Sequence, residues 1–148
     1  MIREGRKLPL DVQTKVGEII QFVEADPDVT ALYAFGSLAS GVLKPLSDLD
    51  FGVLLDARLD NKQRFDKHLE LIGVFNDTFR TDEIDLIIMN DAPIRMVFQI
   101  LKTGRMLTCR DSGALIDFRD CLVKNYIDFK FMRDEFDAVF LEGIGYHG

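Results

Sequence analysis

At 148 residues, with 47% apolar side chains and a formal net charge of −7, the chain is expected to form one domain, residues 1–148, around a single core. The acid excess makes nucleic acid an unfavourable main partner, because such surfaces depend on basic residues and counterion release. No apolar run approaches the about 18 residues of a membrane span, and the mixed, charged start Met1–Leu10 lacks the form of a signal peptide, so the expected compartment is the cytoplasm.

Along the chain, Val12, Val16, Ile19, Ile20 and Val23 recur at helical spacing, and Asp26-Pro27-Asp28 predicts the stop of that helix. Ala31 to Phe35 reads as an apolar strand ending in the small-residue turn Gly36-Ser37. A second strand follows, Asp48 to Leu55, in which Leu49, Phe51, Val53 and Leu55 alternate with the acids Asp48 and Asp50. Residues two apart share a strand face, so the two carboxylates project side by side and the apolar set fills the other face. Asp60 or Asn61 is placed to cap a helix with Phe65, Leu69, Ile72 and Phe75 as its apolar positions. Glu83 to Met89 is a short apolar strand with acids at its start, and Asp91-Ala92-Pro93 opens a helix through Leu101, closed by Gly104. Arg105 to Cys109 is a candidate fourth strand. Asp111 or Ser112 then caps a last helix, Gly113 to Leu141, whose stripe of Leu115, Phe118, Leu122, Phe129, Met132, Phe136, Val139 and Phe140 is expected to be core, with its Phe-rich end as a candidate partner groove. The fold class expected from this order is α/β (α+β), a small mixed sheet flanked by helices with a long helix at the C-terminus.

The chemistry concentrates in Gly36-Ser37, ten residues, then Asp48-Leu49-Asp50. A glycine lets backbone approach a phosphate, and Ser37 adds a hydroxyl and an amide donor. Two adjacent carboxylates repel unless a cation lies between them, and hard oxygen ligands select Mg²⁺ or Mn²⁺. Chemistry with two metals needs a third shared acid on a neighbouring strand. Asp85 is preferred for it; Glu83, on the same strand face, is the rival. His68 and His147 are expected at the surface. Cys109 and Cys121 lack metal-site spacing and are expected as reduced thiols. Arg95, Lys102, Arg105 and Arg110 are scattered cations, more often solvated faces than a patch attracting ATP or an acidic partner.

The pattern Gly36-Ser37, Asp48-x-Asp50 and a later strand Asp85 resembles the DNA polymerase beta-like nucleotidyltransferase superfamily. More narrowly, the short chain with a closing helix resembles the minimal nucleotidyltransferase (MNT) antitoxins of HEPN/MNT toxin–antitoxin systems. The resemblance implies catalytic and metal-binding roles for Asp48, Asp50 and Asp85, two Mg²⁺ ions, and ATP as substrate held by Gly36 and Ser37. Many members of the group carry an Arg before the glycine of the turn; here Ser40 precedes Gly41, and Lys44 is the candidate cation for the triphosphate. The implied partner is a HEPN-domain toxin in a hetero-oligomer, with AMP moved from ATP to a tyrosine hydroxyl of that toxin. Tyr126 and Tyr146 are weighed as self-modification sites against a default of idle surface tyrosines. Two further readings stay open: an antitoxin that neutralises by binding alone, and a nucleotidyltransferase acting on an aminoglycoside-type small molecule. The absence of an appended helical substrate domain counts against the second of these.

Overall fold

Alternation of apolar side chains on two adjacent strands organises the molecule around a sheet with helices on both faces. The computed structural model describes residues 6–7, 10–36, 42–43, 49–81 and 83–125. In chain order its elements are β1 (Arg6–Lys7), α1 (Leu10–Glu24), β2 (Val29–Phe35), β3 (Val42–Leu43), β4 (Leu49–Leu55), α2 (Asn61–Phe79), β5 (Ile84–Ile88), α3 (Ile94–Thr103) and β6 (Arg105–Cys109). A fourth helix, α4, is described over 112–125. The main sheet has the order β5-β4-β2-β6, with β4 and β5 parallel and the other pairs antiparallel; β1 and β3 form a separate two-stranded ribbon. This is the mixed sheet flanked by helices that the sequence order implies.

Leu49, Phe51, Val53 and Leu55 of β4 join Leu32 and Ala34 of β2 under α1 and α2. Phe51 sits at the centre of that layer, edge-on to Phe75 at 5.0 Å between ring centroids and tilted against Phe79 at 5.7 Å. On the other face, Ala31, Tyr33 and Leu54 pack with Val97 and Ile100 of α3 and Leu122 of α4. Gly52 allows α3 to lie close, since a Cβ there would stand 3.3 Å from Ile100 Cγ2.

Capping chemistry sets the helix ends. Asp60 accepts from the Gln63 amide at 2.8 Å while the Gln63 side chain accepts from the Asp60 amide at 2.9 Å, a reciprocal box that starts α2. Asp111 accepts from the Ala114 amide at 3.0 Å and starts α4. Asp26 accepts from the Asp28 amide at 2.9 Å, turning the chain out of α1.

The phase of α2 differs from the expected stripe. Its buried residues are Leu71, Phe75 and Phe79, four apart, while Phe65 is 61% and Leu69 55% exposed. Composition alone could not separate the two apolar rows, because only the row facing Phe51 meets the sheet. His68 also departs from the expected surface position: it is half-buried, with Nε2 2.7 Å from the Leu86 carbonyl oxygen on β5. The last helix is seen as far as residue 125; Phe129 to Phe140, Tyr126, Tyr146 and His147 lie outside the described residues. Among the described residues, no helix is long and apolar enough to cross a membrane.

Candidate active site

The site is built by register. In the parallel pair β4 and β5, Asp50 lies directly opposite Asp85; in the antiparallel pair β2 and β4, Phe35 lies opposite Asp50. Partners in register present side chains to one face, so Phe35, Asp50 and Asp85 form a row across three strands. The next row is Tyr33, Gly52 and Ile87, and it is the one α3 covers. The carboxylates therefore stand at the rim of the sheet, just beyond the helical cover. Every residue of β4 except Asp50 is buried, and Asp85 is exposed.

Gly36 closes the row at the β2 end. Its φ of +62° is one that only glycine adopts without cost, and a Cβ there would lie 2.6 Å from Asp50 Oδ2. The turn thus has two requirements for glycine, backbone sign and contact with the carboxylate. The space a side chain at Gly36 would take is bounded by the Asp50 carboxylate, which leaves the bare backbone of the turn beside a hard oxygen ligand.

Of the residues the sequence nominates, Gly36, Asp50 and Asp85 are brought together. Ser37, Lys44 and Asp48 lie outside the described residues, as do Ser40 and Gly41. The rival acid Glu83 is exposed, and its backbone carbonyl accepts from the Leu49 amide at 3.1 Å. Among the described residues no group of three His, Cys, Asp or Glu side chains is assembled for a metal. The two carboxylates that are described, sharing one face, fit a hard divalent cation with room for water and phosphate oxygens, and offer no soft ligand.

Of the scattered cations, Arg105 stands on β6 opposite Ala34, next to Phe35 of the row. Arg110 is spent at the other end of the sheet, donating from Nε to the Val29 carbonyl at 3.0 Å and also to the Pro27 carbonyl. Arg95, Lys102 and Arg105 are exposed, and Cys109 and Cys121 are free thiols. Tyr33, under the row, has its phenol pushed upward by burial, which keeps it neutral.

One feature escapes sequence reasoning. A cavity of about 520 Å³ opens along the outer side of β5, lined by Phe65 and His68 of α2, Leu86 and Ile87 of β5, and Pro93 and Met96 at the start of α3. Its signal in the sequence is indirect: Phe65 belongs to the apolar row of α2 that does not meet the sheet.

The family model described as polymerase beta, nucleotidyltransferase matches residues 17–113, which span the row and the strands that carry it. The chain belongs to this nucleotidyltransferase family. Solved structures of similar fold include a toxin–antitoxin MntA–HepT complex, with TM-score 0.57 and 22% identity. A toxin–antitoxin structure with AMP-PNP matches with TM-score 0.59 and 22% identity. A tri-AMPylated Shewanella oneidensis HEPN toxin in complex with MNT antitoxin matches with TM-score 0.57 and 22% identity. Each comparison covers 89% of this chain and 98% of the matched one, so the shared fold extends over nearly the whole neighbour. No curated protein matches the sequence.

Proposed function

We propose that this nucleotidyltransferase-family chain is an antitoxin that moves AMP from ATP to a tyrosine hydroxyl of a HEPN-domain toxin in the cytoplasm. The observation that carries the reading is the row in which Asp50 and Asp85 stand opposite each other, with Gly36 against Asp50. Fold neighbours that include an AMPylated HEPN toxin with its MNT antitoxin, and a toxin–antitoxin structure with AMP-PNP, support the choice of nucleotide and acceptor.

Asp48, Asp50 and Asp85 are the proposed ligands for two Mg²⁺ ions, with Ser37 and Lys44 assisting Gly36 at the triphosphate. When bound, Mg²⁺ supplies neutralisation of the phosphate charge and of the two facing carboxylates. Gly36 offers backbone without a side chain, so the β- and γ-phosphates can rest on the turn. The acceptor hydroxyl gives its proton to Asp85, its oxygen bonds to the α-phosphorus, and the bond from that phosphorus to the bridging oxygen breaks. AMP stays on the acceptor and pyrophosphate leaves. Most of the acceleration comes from holding the reacting groups in line.

The test is intact-mass spectrometry of whatever protein the neighbouring gene encodes, and of a HEPN-domain toxin, after incubation with this protein, Mg²⁺ and each nucleoside triphosphate in turn. A gain of whole AMP units with ATP, absent from the Asp48→Asn protein, is the expected result. A stable complex of either one with this protein and no mass gain would replace transfer by neutralisation through binding.

A further inference from the structure

In an in-line displacement the attacking and leaving oxygens lie on opposite sides of the phosphorus. On the adenylyl-transfer reading above, pyrophosphate leaves toward Gly36, at the β2 side of Asp50. The attacking oxygen must then arrive from the β5 side, past Asp85. Among the described residues β5 is the edge of the sheet, with no further strand beyond it. The cavity of about 520 Å³ lies on that side, its upper end at Leu86 and Ile87, immediately beyond Asp85.

We infer that this cavity is the docking site of the acceptor, and that it takes an apolar side chain from a segment of a basic protein carrying the acceptor hydroxyl. Its volume falls in the roughly 300–1,000 Å³ range of ligand pockets and exceeds what one aromatic ring fills. Phe65 is 61% and Met96 42% exposed at its walls, a large apolar exposure for side chains that face a concave surface. The docked segment does not add to the sheet as a fifth strand through its middle. The Leu86 carbonyl is already met by His68 at 2.7 Å, and the Ile88 carbonyl accepts from the Asp91 amide at 3.1 Å. Recognition is therefore by side chain. Charge selects one flank of the segment: Glu83 and Asp85 are exposed where β5 begins and the whole chain carries −7, while at the far end Asp91 is paired with Arg64, 2.9 Å away in the cavity wall. Basic residues flanking the inserted apolar group on the Asp85 side complement that rim. A free sugar or aminoglycoside has no apolar group to fill the cavity, so the site favours a protein acceptor.

Steady-state transfer to the acceptor protein identified by mass spectrometry, compared across Phe65→Glu, Met96→Glu and Leu69→Glu, tests this. Leu69 lies one helical turn beyond Phe65, is equally exposed in kind, and is outside the cavity. Phe65→Glu and Met96→Glu are expected to raise the acceptor KM about tenfold or more, with kcat at saturating acceptor, AMP-PNP affinity and Tm unchanged. Leu69→Glu should match the unsubstituted protein. Equal KM values for Phe65→Glu and Leu69→Glu would overturn the docking site and leave the transfer reading standing. No transfer by the unsubstituted protein would overturn the transfer reading, and the docking site with it.

Discussion

At the end of the sheet where β2 begins, Asp26, Asp28 and Asp56 are each met by cations of the chain. Lys67 Nζ lies 2.8 Å from Asp26, 3.2 Å from Asp28 and 2.8 Å from Glu70, Arg58 bridges Asp28 and Asp56, and Arg110 reaches Asp56. At the end where β4 begins, the strand register instead sets carboxylate opposite carboxylate, Asp50 against Asp85. The first arrangement ties α1, β2 and α2 together and is complete within the protein. The second sets two carboxylates in register on one strand face, an arrangement of hard oxygens that a divalent cation can join, so it suits binding. Similar side chains thus serve two purposes, and which purpose is set by what the fold places beside them.

The contrast is broken most sharply by Asp50→Asn. This change removes one charge from the facing pair, so AMP transfer is expected to fall about a thousandfold or more, while Tm changes little because the side chain keeps its size and lies at the rim of the sheet. Retained transfer, or a large drop in Tm, would erase the distinction between the two ends. Gly36→Ala comes next. Its Cβ would lie 2.6 Å from Asp50 Oδ2 at a φ of +62°, costing about 1–2 kcal/mol of stability and, by displacing the carboxylate, about a hundredfold in transfer rate. Wild-type rates in Gly36→Ala would mean that the contact with Asp50 does not matter for chemistry.

Much of the Asp50–Asp85 row is legible in the sequence because strand alternation is a local rule. Once Leu49, Phe51, Val53 and Leu55 occupy the core, Asp50 must face the other way, and Asp85 follows once β5 pairs in parallel with β4. The preference for Asp85 over Glu83 rested on distance along the chain; its position opposite Asp50 needed the register. The contact of Gly36 with Asp50 is a close approach of two strands, which no spacing reveals. The Lys67 cluster was invisible for a related reason: Asp26 and Lys67 are joined across two elements, and each reads locally as a solvated charge. The burial of α2 is not legible locally because Phe65 and Leu69 have the composition of a core without its phase, while Leu71, Phe75 and Phe79 carry the phase. The β1–β3 ribbon, two residues per strand, is too short for any periodicity to register.

Lys67→Met tests the structural end. The Lys67 side chain is 13% and that of Asp26 11% exposed, so losing the cation leaves poorly solvated carboxylates uncompensated and should cost about 2–3 kcal/mol of stability. Chemical denaturation measures it, and transfer per folded molecule should not change. A loss of transfer at unaltered stability would mean that the far end acts on the site.

The smallest effect is the dependence of this cluster on pH. Burial pushes the Asp28 carboxyl upward, but its hydrogen bonds and attraction to Lys67 and Arg58 outweigh that and hold it below the ordinary 3.8. Asp28 therefore stabilises the fold above the unfolded carboxylate range, and this contribution is lost as pH falls through its lowered folded value. Burial likewise depresses the Lys67 ammonium, and the hydrogen bonds to Asp26, Glu70 and Asp28 more than reverse it, raising it above the ordinary 10.5. Its contribution is present below the unfolded lysine value and is lost as pH rises through the raised folded one. Denaturation midpoints followed from acid to alkaline pH should show a plateau bounded by these two losses. In Lys67→Met the alkaline loss should shrink, since no ammonium remains there to titrate, and the acid loss should shrink with it, since Asp28 has lost the principal group holding it down. An acid limb unchanged in Lys67→Met would assign that limb to other carboxylates and make Arg58 sufficient for Asp28.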